Sequence, residues 1–178
     1  MSTSLQMHRK AFCFGSIMPD IMPSFVTKRH EYFGTFDEVK GKLRKLVVSG
    51  RECNDRVFWR RVGEILHYIA DYFTFPHNRT FDGTLVQHNS YEKHLKNQLK
   101  AFVAEGRADV YTVQNLRFLS SSHLIAYIEK CHKIYLNCKR DIEQDIHYIL
   151  SVCYQVFQGI YQLCGRNSDM PFEMNVTI

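Results

Sequence analysis

Five side chains of metal-ligand type recur through the middle of this chain: His67, Asp71, His77, His88 and Glu92, in the pattern H-x3-D-x5-H-x10-H-x3-E. Two of the steps are four residues long, the spacing that brings side chains together on one face of an α-helix. In helical segments His67 therefore converges with Asp71, and His88 with Glu92. Imidazole nitrogen combined with carboxylate oxygen suits zinc and needs no thiolate. His67 and Asp71 lie in the apolar segment ILHYIADYF. A carboxylate on such a face needs a cation or hydrogen-bond donors, because an unpartnered buried charge is costly. His88 and Glu92 lie in a more polar segment, where a plain contact between neighbouring helical turns explains them equally well.

At 178 residues the chain has the size of one domain, taken as residues 1–178. Its 45% apolar and 23% charged residues are ordinary for a soluble globular protein. No run of 18 apolar residues occurs, so no membrane span is predicted. The net charge of +5 favours phosphate-bearing partners or an anionic surface, without by itself indicating nucleic acid. The opening MSTSLQMHRKAFCFGSIMP is broken by Gly15, Ser16 and Pro19 and lacks a signal-peptide core. The cysteines are scattered with no C-x-x-C pair, and read as reduced, mostly buried thiols. The cytoplasm is the expected compartment; secretion would require further sequence before Met1.

Apolar spacing predicts helices over 36–48, from Asn54 to about Phe73, from Leu85 to Ala104, from Ser120–Ser122 onward, and from near Asp141 to a stop at Gly165. Pro76 ends the second of these. The segment GSIMPDIMP reads as a helix end running into a loop, and the tail 165–178 as irregular. There is no alternation of strands with helices and no glycine-rich phosphate loop. The fold class predicted is all-α, a single-domain bundle of five or six helices.

GSIMPD, then His30, then HYIADYFTFPHN, then HNSYE together resemble the bacterial zinc-dependent phospholipase C family, with motif coverage of roughly residues 10–95. The resemblance implies the all-α bundle of the zinc phospholipase C and zinc nuclease type. It implies that Asp20, His30, His67 and Asp71 hold one zinc ion, and that His77, His88 and Glu92 hold a second. Asp20 is implied as the metal-linked catalytic base. In the resembling enzymes the counterpart of Asp71 reaches a third metal, held also by an N-terminal His and a terminal Trp. Here the only tryptophan is Trp59, and His8 is the only histidine before Asp20. Two zinc ions are expected, and three if another ligand is supplied.

The activity implied is hydrolysis of a phosphodiester, with a phospholipid head group as leading substrate, transient contact with a membrane surface, and a monomeric enzyme. Two alternatives stand beside it: a metal-stabilised helical module without catalytic activity, and a single-strand-specific zinc nuclease with a nucleic-acid partner. Arg79 is expected as a solvated loop arginine that also lies within reach of a substrate phosphate. Tyr68, Tyr72 and Phe75 are read as core residues before cleft-lining ones. His94, His123, His132 and His147 show no partner in the sequence.

Overall fold

The apolar stripes line up on helices, and the helices bury them against one another. The computed structural model describes residues 3–21, 31–112, 116–138 and 141–166. Their order is α1 (Thr3–Met7), α2 (Arg9–Ile21), α3 (Tyr32–Ser49), α4 (Asp55–Tyr72), α5 (Leu85–Ala104), α6 (Ser121–Tyr135) and α7 (Ile142–Leu163). Short 3-10 turns occupy Phe75–His77 and Arg107–Thr112. No strand occurs among the described residues. The all-α prediction holds, with the short α1 added to the expected set. His30 and residues 167–178 of the tail lie outside the described residues.

Local chemistry sets the ends. Asn54 caps α4, its side chain accepting a hydrogen bond from the Arg56 N–H at 3.0 Å. Thr84 and Gln87 form a reciprocal capping box at the start of α5, the kind of feature that contributes about 1 kcal/mol. It fixes the phase of α5, and so the face on which His88 and Glu92 stand. Gly165, just past α7, takes a positive φ of 65°, which glycine adopts without strain.

Helix α4 is the axis of the core and packs on α2, α3 and α7. Phe58, Trp59, Val62, Ile65 and Ile69 are all buried along it, against Leu43 and Leu46 of α3 and Val156 and Ile160 of α7. Each such side chain, fully buried, contributes roughly 1.5–3 kcal/mol before entropy is counted.

Helices α2 and α4 run in the same direction and touch backbone to backbone. A Cβ on Gly15 would overlap the Arg60 carbonyl, and one on Gly63 would overlap the Phe12 carbonyl. Only hydrogen fits at these two positions. The contact carries α2 past Pro19, which is buried inside the helix, as far as Ile21. Asp20 therefore stands on the last turn of α2, where the sequence suggested that the helix was already running into a loop. Its neighbour across the contact is α4, three quarters of the way along.

One end of α4 is tied to both ends of the described chain. Asp55 accepts hydrogen bonds from Ser4 Oγ at 3.2 Å and from Arg166 Nη1 at 2.7 Å. Trp59 Nε1 donates to Ser4 Oγ at 3.0 Å. Arg166 also donates to the carbonyls of Gly50 and Cys53, with its guanidinium 4.2 Å from the Phe58 ring centre.

Candidate metal centre

The other end of α4 holds the predicted ligands. Asp20, His67, Asp71, His77, His88 and Glu92 all line one cavity of about 680 Å³. α2 and α4 both point their C-terminal ends toward it. The partial negative charge of a helix C-terminus favours a cation there.

His67 Nε2 lies 3.2 Å from Asp71 Oδ2, one turn along α4, and 3.4 Å from Asp20 Oδ1 on α2. The backbone of Ser16 hydrogen-bonds the same imidazole. A backbone partner of this kind orients a ring toward a metal. Burial works against protonation of His67. The hydrogen bond and charge of Asp71, with the charge of Asp20, outweigh it and raise the pKa.

The Phe75–His77 turn follows α4 directly and swings His77 back to the cavity. His77 Nε2 and His88 Nε2 each lie 2.9 Å from Glu92 Oε1. Here the i, i+4 pair on α5 meets a third ligand type from another element, which a plain surface contact does not provide. Burial opposes protonation of His77 too, and the Glu92 hydrogen bond with the Asp71 charge overcomes it, raising the pKa. The His77 hydrogen bond in turn lowers the pKa of Glu92 against the opposing effect of burial. Asp71 joins the two halves, since its Oδ1 lies 4.0 Å from His77 Nε2.

These distances can be set against zinc. Four donors at about 2.0–2.1 Å in a tetrahedron lie about 3.3 Å from one another. His67 Nε2 lies within 0.1 Å of that spacing from one oxygen each of Asp20 and Asp71. The ligand atoms of His77, His88 and Glu92 all fall within 4.8 Å of one another. Both sets are nitrogen and oxygen donors of the kind zinc takes. Among the described residues, His77, His88 and Glu92 are the group that fits the metal.

Other sequence expectations are refined. His8, the one upstream histidine, lies 3.6 Å from Asp55 at the start of α4. The helical rise puts Asp71 about 24 Å further along, so His8 does not serve this cavity. Arg79 is exposed, as expected of a solvated arginine, but it also lines the cavity, its guanidinium 4.1 Å from the Phe33 ring centre. Tyr68 and Tyr72 are core residues, and the Tyr72 hydroxyl pairs with Thr35 Oγ1 at 2.9 Å. Among the described residues, Phe81 is the phenylalanine in the cavity wall. Of the cysteines only Cys164 is fully buried; Cys13 is exposed and the rest are half-buried.

Glu31, in the cavity wall, carried no signal in the sequence. Nor did the link between Asn78 and His132. Asn78, next to His77, donates to the Tyr72 and Thr74 carbonyls and accepts from His132 Nε2 at 2.8 Å. His132 is buried on α6 and stacks on Tyr32. The pair fixes the far side of the His77 turn.

Comparison with known proteins agrees with this chemistry. The family model described as zinc dependent phospholipase C matches residues 1–142. No curated protein and no solved structure matches the chain. With a matched segment that spans α1 to α6 and contains every residue of the cavity cluster, the chain belongs to the zinc-dependent phospholipase C family.

Proposed function

We propose that the chain is a zinc-dependent phosphodiesterase that cleaves the head group from a glycerophospholipid. The observation that carries this reading is the single cavity into which Asp20, His67, Asp71, His77, His88 and Glu92 converge from α2, α4, the following turn and α5. In this reading Asp20, His67 and Asp71 hold one zinc ion together with His30, and His77, His88 and Glu92 hold the other. Zinc bound there would polarise phosphoryl oxygens, ease deprotonation of water and offset charge on the leaving oxygen.

The chain's own residues do the rest. Asp20, at the open end of α2 and half exposed, receives the proton of the attacking water. Asp71 faces both halves of the centre, its two oxygens turned to the Nε2 atoms of His67 and His77. Arg79, steadied over Phe33, offers the cavity a guanidinium for a phosphate oxygen. Leu85, which lines the cavity and is 74% exposed, is followed by Val86, 78% exposed, and in this reading the two serve as an apolar lip at the start of α5. That lip favours a lipid over a nucleic acid. Phe81 is held edge-on by Phe75 and His88 instead of standing free as a stacking platform for bases.

A second reading has one observation in its favour. His8 is committed to Asp55, so the described residues offer no further histidine for a third metal at Asp71. A centre with fewer metals stabilises less transition-state charge, and the chain then acts as a metal-stabilised module. Zinc-loaded protein tested on a chromogenic phosphodiester, phosphatidylcholine vesicles and single-stranded DNA separates the readings. Turnover of the first two supports the phospholipase. Turnover of DNA alone assigns a nuclease, and zinc uptake with no turnover assigns the module.

A further inference from the structure

We propose that Asp145 of α7 is a positioning residue for the His77, His88 and Glu92 half of the metal centre. The inference rests on the reading that these residues hold zinc. Asp145 itself lies beyond residues 1–142, so the family match does not assign it.

Asp145 has no exposed surface, and its carboxylate accepts from three donors. Oδ2 takes the Phe75 backbone N–H at 2.9 Å and the Tyr91 hydroxyl at 2.8 Å. Oδ1 takes the Tyr135 hydroxyl at 2.7 Å. Two of these donors matter for the centre. Phe75 opens the 3-10 turn that ends in His77. Tyr91 immediately precedes Glu92 on α5, the helix that also carries His88. One oxygen atom therefore fixes the turn that bears one ligand and the helix that bears the other two. The rings of Phe75 and Tyr91 also meet edge to face at 5.9 Å.

Stability alone is a weak account of this arrangement. A buried carboxylate gives no more stability than a well-packed apolar side chain of the same size, and often less. What it adds is direction, because each donor is held at a set distance and angle. His77 and Glu92 are separated by a loop, and they meet at 2.9 Å only if the turn and α5 keep their relative position. Asp145 supplies that reference from a helix that brings no ligand. Groups that orient metal ligands from behind typically change metal affinity 10–100-fold when removed.

Replacing Asp145 outright strands three donors and endangers the fold, so single hydroxyl deletions make the cleaner test. Tyr91→Phe and Tyr135→Phe each remove one hydroxyl from the same carboxylate, but only Tyr91 adjoins a ligand. On the full chain, zinc dissociation constants come from competition with a chelator, ligand geometry from the visible spectrum of the cobalt-substituted protein, and fold from melting of the metal-free protein. The expected result is similar melting of the two variants, zinc binding weakened about tenfold or more at one site in Tyr91→Phe with an altered cobalt spectrum, and Tyr135→Phe unchanged in both. Zinc affinity in Tyr91→Phe equal to that of the parent overturns the proposal, as does equal weakening in both variants. A parent chain that takes up no zinc overturns the zinc reading itself, and this inference with it.

Discussion

Gly15 of α2 rests directly on the backbone carbonyl of Arg60 in α4, with no room for a methyl group. The relationship is structural, yet it decides the chemistry at the other end of the helix, because it lets Asp20 come within 3.4 Å of His67.

Gly15→Ala is expected to push the two helices apart. The overlap is with backbone, which gives way poorly, so the loss is about 1–3 kcal/mol. Zinc should weaken on the Asp20 and His67 side and hold at His77, His88 and Glu92. Gly41→Ala is the control. A Cβ there meets nothing within 4 Å, so that variant gains roughly 0.5–1 kcal/mol from helix propensity. Thermal melts with zinc titrations on both variants check the pair.

Asp71→Asn is expected to lower zinc content at both halves of the centre, since Asp71 faces both His67 and His77. Metal binding and folding are linked, so the rise in melting temperature on adding zinc should shrink together with the zinc content found by elemental analysis. In the parent, zinc affinity should increase with pH, because the metal must displace protons from His67 and His77, whose pKa values are raised.

Acid sensitivity should carry a signature of His132. Burial holds its pKa down at about 4. The unfolded chain takes up this proton near the ordinary histidine value of about 6.5. Between those values the unfolded state binds more protons, so stability is complete above the upper one and is lost as pH falls. The loss from this residue is about 3 kcal/mol in all, and about 2 kcal/mol of it by pH 5. His67 and His77 act the other way in zinc-free protein. Their raised pKa values stabilise the fold below the unfolded value, and that contribution fades as pH rises through the folded one. Comparing zinc-free parent with His132→Gln in denaturant at pH 7.5 and pH 5 isolates the first effect: the variant should lose less on acidification.

The lip should matter for interfaces more than for chemistry. Val86→Asp places a charge where the apolar edge would meet lipid. Hydrolysis of phosphatidylcholine vesicles should fall several-fold further than hydrolysis of a soluble chromogenic phosphodiester. Equal losses on the two substrates would remove the lip from the account.

Arg166→Ala should destabilise the chain by about 2 kcal/mol, since it leaves Asp55 and two carbonyls short of their donor. Zinc per chain should not change, because the variant acts at the far end of α4. Elemental analysis beside a denaturation curve tests both halves of that statement.

The legible part of the centre was the part that helix geometry fixes. A four-residue step brings His67 to Asp71 and His88 to Glu92 whatever the rest of the fold does. The contact of Asp20 with His67 was implied by the family resemblance and not by helix geometry. It depends on two glycines that let helices touch, and nothing in the ligand spacing announces a Cβ clash. The role of His8 was illegible for the same reason: a histidine upstream of the motif gives no sign of which end of α4 it meets. Asp145 left a trace. It stands beside Ile146 on the apolar face of α7, and a carboxylate there needs donors just as Asp71 needs a partner. Two of its three donors, Phe75 and Tyr91, lay far away in sequence and had to come from the packing.

The junction at Asp55 gives the molecule a back and a front. α1 and the end of α7 both finish at the start of α4, and the cavity opens about 24 Å away along the same helix. The ties from Ser4 and Arg166 to Asp55 therefore hold the back of α4 without reaching the opening, so the clamp and the cavity can be altered one at a time.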